Sequence, residues 1–240
     1  MTLPPASTVH IDFLPDSVQN YPLDYTVVAV DVIRATTTAI TALQIGRRCF
    51  PVSSLDHAKR LARDLDRPLL AGELDGEMPP DFNITNSPAA LVERSDNDRP
   101  MVLLSSSGTR LIAAASRHRD TFVACLRNHS AQARWLLPLE SPVVVIGAGT
   151  KGEFRQEDQL CCAWIAAYLI DNGWTPGSNF TEQLADRWRD APVDGFLGSQ
   201  SVNYLTRSNQ LDDLRFILDH VDDVDQVFAM DDGELKQRSA

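Results

Sequence analysis

The stretch TVVAVDVIRATTTAITAL, residues 26–43, decides how this chain is read. Thr26 to Val30 is a β-branched apolar run, the composition of a strand covered on both faces. From Ala35 to Leu43 the character is helical, and Gly46 follows as a stop. Between strand and helix stand a carboxylate (Asp31), a guanidinium (Arg34) and the hydroxyls of Thr36, Thr37 and Thr38. Open α/β sheets place ligands just beyond the carboxyl ends of their strands. A helix N-terminus there offers free N–H groups to an anion. Arg34 suits phosphate or sulfonate as a bidentate fork, and Asp31 suits a hard cation such as magnesium. The plainer alternative is that Asp31 and the threonines only cap the helix.

Outward from this stretch, residues 9–14 alternate as a first strand. Residues 49–52 make a short strand, expected at a sheet edge because of Pro51. Ser54 caps an amphipathic helix over 55–66. A strand over 68–71 opens onto Glu73, and the aperiodic segment 78–88 ends in Asn86-Ser87-Pro88, a helix start with proline at the first position. Strand, polar turn and helix then recur three times: 101–104, 105–109 and 110–116; 122–126, 127–130 and 131–137; 143–146, 147–152 and a long helix over 156–171. Helices over 180–189, 193–205 and 211–219 follow, then a short strand over 226–230 and a charged, fraying tail from Asp231. The alternation predicts an α/β fold, a mostly parallel or mixed sheet sandwiched by helices in three layers, with a helix-rich C-terminal third. Residues 1–240 read as a single domain, with two lobes and a cleft left open and no firm boundary.

Acidic residues outnumber basic ones, 33 to 22, for a formal net charge of -11. That disfavours nucleic acid and anionic membranes as partners, and an anionic substrate would need a locally positive or metal-neutralised pocket. No apolar run approaches the ~20 residues of a membrane helix. The first 15 residues have no basic segment followed by an apolar core, so no secretory leader is expected. Cys49, Cys125, Cys161 and Cys162 show no C-x-x-C or zinc spacing, which suits a reduced, cytoplasmic compartment.

If the sheet is parallel, the turns at Asp31–Thr38, Ser105–Thr109, Arg127–Ser130 and Gly147–Gly152 leave one edge. Together they bring an arginine, hydroxyls, backbone N–H groups and Lys151, an inventory for phosphate. A simple N-cap with Gly108 allowing close packing is the alternative for the serine turn. Glu157 and Asp158 open the long helix, where acidic residues ordinarily complement the dipole. Close to Asp31, they would suit magnesium held by one or two carboxylates, water and substrate phosphate. Glu73 is a further candidate ligand or base. A P-loop is absent, and Gly147-x-Gly149-x-x-Gly152 comes late, without the acid a dinucleotide site requires. His57, His118 and His220 are expected at the surface, and His129 falls in a candidate turn.

These segments resemble the 2-phosphosulfolactate phosphatase family: DVIRATTTAITAL (31–43), GELDG (72–76), NSP (86–88), SSSGT (105–109), RNHSA (127–131) and EDQLCCA (157–163), in order along most of the chain. The resemblance implies an α/β, magnesium-dependent phosphatase that removes phosphate from 2-phosphosulfolactate on the route to coenzyme M. It places the Asp31 and Arg34 turn at the site, and catalytic roles are expected of Asp31, Arg34 and, from its position alone, Glu73. Substrate contacts would come from Thr36, Thr37, Asn86, Ser87, Ser106, Ser107, Gly108, Thr109 and Asn128. Asp31, Glu157 and Asp158 would hold the metal. The family more often has Thr-Thr-Asn-Gly-Thr where this chain has Ser105 to Thr109, so a hydroxyl replaces an amide. Direct attack by water and a phospho-aspartate at Asp31 both remain open, as does a homodimer. The alternative function is a non-catalytic sensor of phosphorylated or sulfonated metabolites.

Overall fold

The computed structural model describes residues 7–239; residues 1–6, part of the segment scanned for a leader, and Ala240 lie outside the described residues. In chain order the elements are β1 (Thr8–Phe13), β2 (Thr26–Val30), α1 (Ala35–Gln44), β3 (Cys49–Val52), α2 (Leu55–Asp64), β4 (Leu69–Gly72) and α3 (Pro88–Val92). Then come β5 (Met101–Leu104), α4 (Gly108–Ala115), β6 (Asp120–Ala124), α5 (His129–Leu136), β7 (Val143–Gly147) and α6 (Gln156–Asp171). The chain closes with β8 (Thr175–Pro176), α7 (Asn179–Trp188), α8 (Gln200–Arg207), α9 (Leu211–Asp219), β9 (Val227–Asp231) and β10 (Glu234–Arg238).

All ten strands join one mixed sheet in the order β4-β5-β3-β10-β9-β6-β2-β7-β1-β8, covered by helices on its faces. β2 explains why both faces need cover. Val28 and Val30 pack with Val145 against α5 and α6, whereas Val27 and Ala29 pack with Ile146 against α1 and α4. An apolar side chain buried this way contributes about 1.5–3 kcal/mol. On α6, Cys161, Cys162, Ile165 and Leu169 line the first of these cores, and all four cysteines are free and buried.

The pairings overturn the single shared edge. β4, β5 and β3 run parallel to one another, as do β6, β2, β7, β1 and β8. Three antiparallel steps through β10 and β9 separate the groups, so they point in opposite directions. Three of the four turns leave one edge, after β2, β6 and β7, but Ser105–Thr109 leaves β5 in the opposed group. It reaches Asp31 by another route. Leaving β2, α1 crosses β6 toward β3 and β5; leaving β5, α4 crosses β3 toward β6 and β2. The two helices exchange places, and the turns that start them meet. Both turns use the same device. The Thr36 hydroxyl accepts from Asp31 N–H and donates to Asp31 C=O, and the Thr109 hydroxyl does the same with Ser105.

Three other expectations change. β3 lies inside the sheet, not at its edge; Pro51 is accommodated because β10 pairs with β3 at Cys49, two residues before it. The helix expected over 193–205 is a 3-10 turn (Val193–Phe196) and α8, divided where Ser199 caps α8 by accepting from Val202 N–H. The tail does not fray: Asp231 pairs with Glu234 across a two-residue turn, Asp232-Gly233, with φ of 49° and 81°. Positive φ at both turn positions matches the right-handed strand twist, and Asp-Gly supplies it cheaply. Among the described residues, no helix is long and apolar enough to cross a membrane.

Candidate active site

β2 delivers Asp31 to the junction between the exchanged helices, where it is buried. A β-carbon added at Gly108 would lie 2.2 Å from Asp31 Oδ2, so the absence of a side chain there lets the α4 turn close on the carboxylate. Burial pushes the Asp31 carboxyl up to about 7, partly offset by the Ala35 N–H. The charges of Glu73 and Glu157 push the same way, and Arg34 pulls it down.

The first turn of α6 supplies the other two carboxylates. Asp158 is buried and joins two strand ends: Oδ1 accepts from Val32 N–H at 2.8 Å and Oδ2 from Gly149 N–H at 3.3 Å. Burial, then the charges of Asp31 and Glu157, raise its pKa well above the usual carboxylate range. Glu157 is raised by burial and eased by the hydroxyls of Ser201 and Ser199 and the charge of Arg155, yet its buried Oε2 has no hydrogen-bond partner. Three buried carboxylates, two of them pushed up further by the charges of their neighbours, form a site short of positive charge. Among the described residues, no three His, Cys, Asp or Glu side chains stand as a ready-made metal cage. Asp31 and the unpartnered oxygen of Glu157 fit a magnesium ion that takes one or two carboxylates and completes its shell with water and phosphate.

The remaining expected residues divide by what they touch. Glu73 accepts from Ser106 N–H at 2.8 Å, from the Ser106 hydroxyl at 2.9 Å and from Gly76 N–H at 2.7 Å, fixing the serine turn beside Asp31. Ser107 is the half-buried N-cap of α4 and makes no side-chain cap bond. Arg34, the N-cap residue of α1, forms a buried ion pair with Asp213 of α9. Ser87 caps α3 through Ala90 N–H and donates to Asp213 Oδ1 at 2.6 Å; neighbouring Asn86 keeps a buried, unpartnered Oδ1. The hydroxyls of Thr36, Thr37 and Thr109 are spent on backbone carbonyls, bracing the turns from behind. The Asn128 amide is occupied by backbone, bonding that of Cys125, Val123 and Gln226.

Sequence reasoning missed Asp213, Ser199, Ser201 and Arg155. Asp213 reads as an ordinary acidic residue in a first helical turn, and Ser199 and Ser201 fall inside the helix expected over 193–205, which the structure divides. Arg155 sits before α6 and holds Glu153, Gln200 and the Thr150 carbonyl.

The histidines are sorted by burial. His57 is exposed and His220 half-buried, but His118, expected at the surface, is buried between the carbonyls of Ala115 and Tyr21. His129 turns from the carboxylates and packs on Trp164, ring centroids 4.7 Å apart. Burial lowers its pKa to about 4, against a smaller upward pull from Asp222. A lowered folded value means that the unfolded chain binds this proton first, so stability falls as pH drops from about 6.5 to about 4. At about 1.4 kcal/mol per unit, the loss is about 3 kcal/mol. Protonation of the buried Asp31 carboxyl stabilises over the same window, so without the opposing imidazole His129→Gln should show a melting temperature that rises more steeply than the parent's as pH falls; a slope equal to the parent's would refute the assignment.

The sequence matches the model of the 2-phosphosulpholactate phosphatase family over residues 12–233. Proteins named "Probable 2-phosphosulfolactate phosphatase" are similar to it. That of Symbiobacterium thermophilum is 38% identical over 145 residues, 59% of this chain and 62% of the relative. That of Carboxydothermus hydrogenoformans is 34% identical over 164 residues, 68% of each. That of Clostridium beijerinckii is 30% identical over 149 residues, 60% of this chain and 62% of the relative. The chain thus spans somewhat over three fifths of the length of the first relatives it matches. The match from residue 12 to residue 233 takes in the exchanged helices and every carboxylate at their junction, and the chain belongs to the 2-phosphosulpholactate phosphatase family.

Proposed function

We propose that this chain is a magnesium-dependent phosphomonoesterase acting on a small acidic phospho-acid, with 2-phosphosulfolactate as substrate and sulfolactate and phosphate as products. The observation that carries the reading is the junction itself: buried Asp31, Glu157 and Asp158 beside Arg34 and the turn that closes on Asp31 at Gly108. Asp31 and Glu157 would hold the metal, with Asp158 orienting the strand ends behind them. Magnesium bound there would act as a Lewis acid on the phosphoryl oxygens. Arg34 binds the phosphoryl charge as it spreads in the transition state. By taking the Ser106 N–H and hydroxyl, Glu73 holds the turn so that the N–H groups of Ser107 and Gly108 that follow would face the substrate. Asn86 and Ser87 orient the acidic end of the substrate. An acidic protein with four buried thiols suits the cytoplasm, and with that substrate its reaction would lie on the route to coenzyme M.

The test is phosphate release from 2-phosphosulfolactate and a panel of phospho-acids, with magnesium and with a chelator. The expected result is release that needs magnesium and is fastest on 2-phosphosulfolactate. A folded chain that binds phosphate but releases none from any of these substrates would leave a metabolite sensor instead.

A further inference from the structure

Asp213 lies in the first turn of α9, where an acidic residue ordinarily does no more than complement the helix dipole. Its neighbour Asp212 behaves that way, exposed and paired with Arg215 on the same helix. Asp213 is turned inward and is 3% exposed. Its Oδ2 pairs with Nη1 of Arg34, and its Oδ1 accepts from the Ser87 hydroxyl at 2.6 Å and from Ala89 N–H at 3.1 Å. These donors come from two separate loops, the turn before α1 and the start of α3. One buried carboxylate therefore joins the two segments proposed to meet the two ends of the substrate.

A guanidinium is a rigid planar fork with five donors. Anchoring Nη1 sets the plane in which its other N–H groups point, and tying Ser87 to the same carboxylate sets its distance from that plane. We propose that Asp213 is a positioning residue for anion binding, holding Arg34 and Ser87 in one fixed relation that matches a phosphorylated acid. The proposal rests on the phosphate-binding reading above. It brings the helical C-terminal third into the specificity of a site otherwise built from strand ends.

The test is binding of inorganic phosphate by calorimetry, with KM and kcat for 2-phosphosulfolactate alongside. Asp213→Asn keeps acceptors for Ser87 and Ala89 but removes the ionic partner of Arg34. Phosphate affinity should fall about tenfold and KM rise about as much. In an Arg34→Lys background, where no planar fork remains to orient, the same change should alter phosphate affinity less than about twofold. Loss of a buried charge partner destabilises strongly, so Asp213→Glu is the companion variant. It keeps the charge but displaces it by one methylene: stability should return while phosphate affinity does not. Recovery of affinity along with stability in Asp213→Glu, wild-type affinity in a folded Asp213→Asn, or full additivity with Arg34→Lys would overturn the proposal, as would a wild-type chain that binds no phosphate. A wild-type chain that binds phosphate but releases none from any substrate overturns the phosphatase reading alone, and the affinities still decide the role of Asp213.

Discussion

Asp31→Asn should cut phosphate release on the order of 10³-fold and yet give a more stable protein. Asp31 is buried with two other carboxylates near it, and its carboxyl stands at about 7 against an ordinary value near 3.8. About three units correspond to ~4 kcal/mol of penalty for carrying the charge when folded. A folded value above the unfolded one means that the stabilising proton is bound at acid pH. Its contribution is full below about 3.8 and is lost as pH rises through about 7. An amide keeps the shape and an acceptor but carries no charge. At pH 8 in chelator, the variant should melt higher by several degrees, given about 2–4 °C per kcal/mol for a chain of this size. Magnesium should stabilise the parent, by about 2.7 kcal/mol at a hundredfold excess over Kd, and so raise its melting temperature while leaving the variant unmoved. Phosphate release should fall on the order of 10³-fold, since transition-state charge loses several kcal/mol of stabilisation. A variant that turns over normally, or that melts several degrees lower in chelator, would show that Asp31 is a structural cap.

The second large effect is expected at Gly108. A methyl group there would meet Asp31 Oδ2 at 2.2 Å, Ala35 Cβ at 2.6 Å and Asp31 Cβ at 2.9 Å. None of these is the end of a long flexible side chain, so either the carboxylate moves or the starts of α1 and α4 separate. Overpacking of this kind costs about 1–3 kcal/mol, and shifting a reacting group by about 1 Å can cost 10²-fold in rate. Gly108→Ala should therefore melt lower by several degrees and lose about two orders of magnitude in kcat. Gly198→Ala serves as the control, because an added β-carbon there meets nothing within 4 Å; it should stay within about 0.5 kcal/mol of the parent. Equal behaviour of the two variants would remove Gly108 from the site.

Where chemistry and periodicity are local, the sequence determined the outcome. The apolar run at Thr26–Val30 and its stop at Asp31, the caps at Ser54 and Ser87, and the long helix opening on Glu157-Asp158 are found as read. Each rests on a neighbour a few residues away: a side-chain oxygen on a nearby N–H, or a run with the period of its element. The Asp232-Gly233 hairpin is equally local: an Asp-Gly pair is itself a turn signal, and the charge of the tail does not prevent Asp231 from pairing with Glu234. Tertiary structure alone decided what depends on partners far along the chain. That the two parallel groups oppose each other follows from the β9–β10 hairpin inserted between β3 and β6, which no spacing within the strands encodes. That α1 and α4 exchange places decides why Gly108 meets Asp31, 77 positions away in number. That Asp213 reaches Arg34, rather than solvent like Asp212, depends on how α9 packs against α3. A sequence shows which side chains can carry charge. Which charges are buried together, and so which are costly alone and useful with a cation or a phosphate, is set by the packing that brings distant segments to one junction.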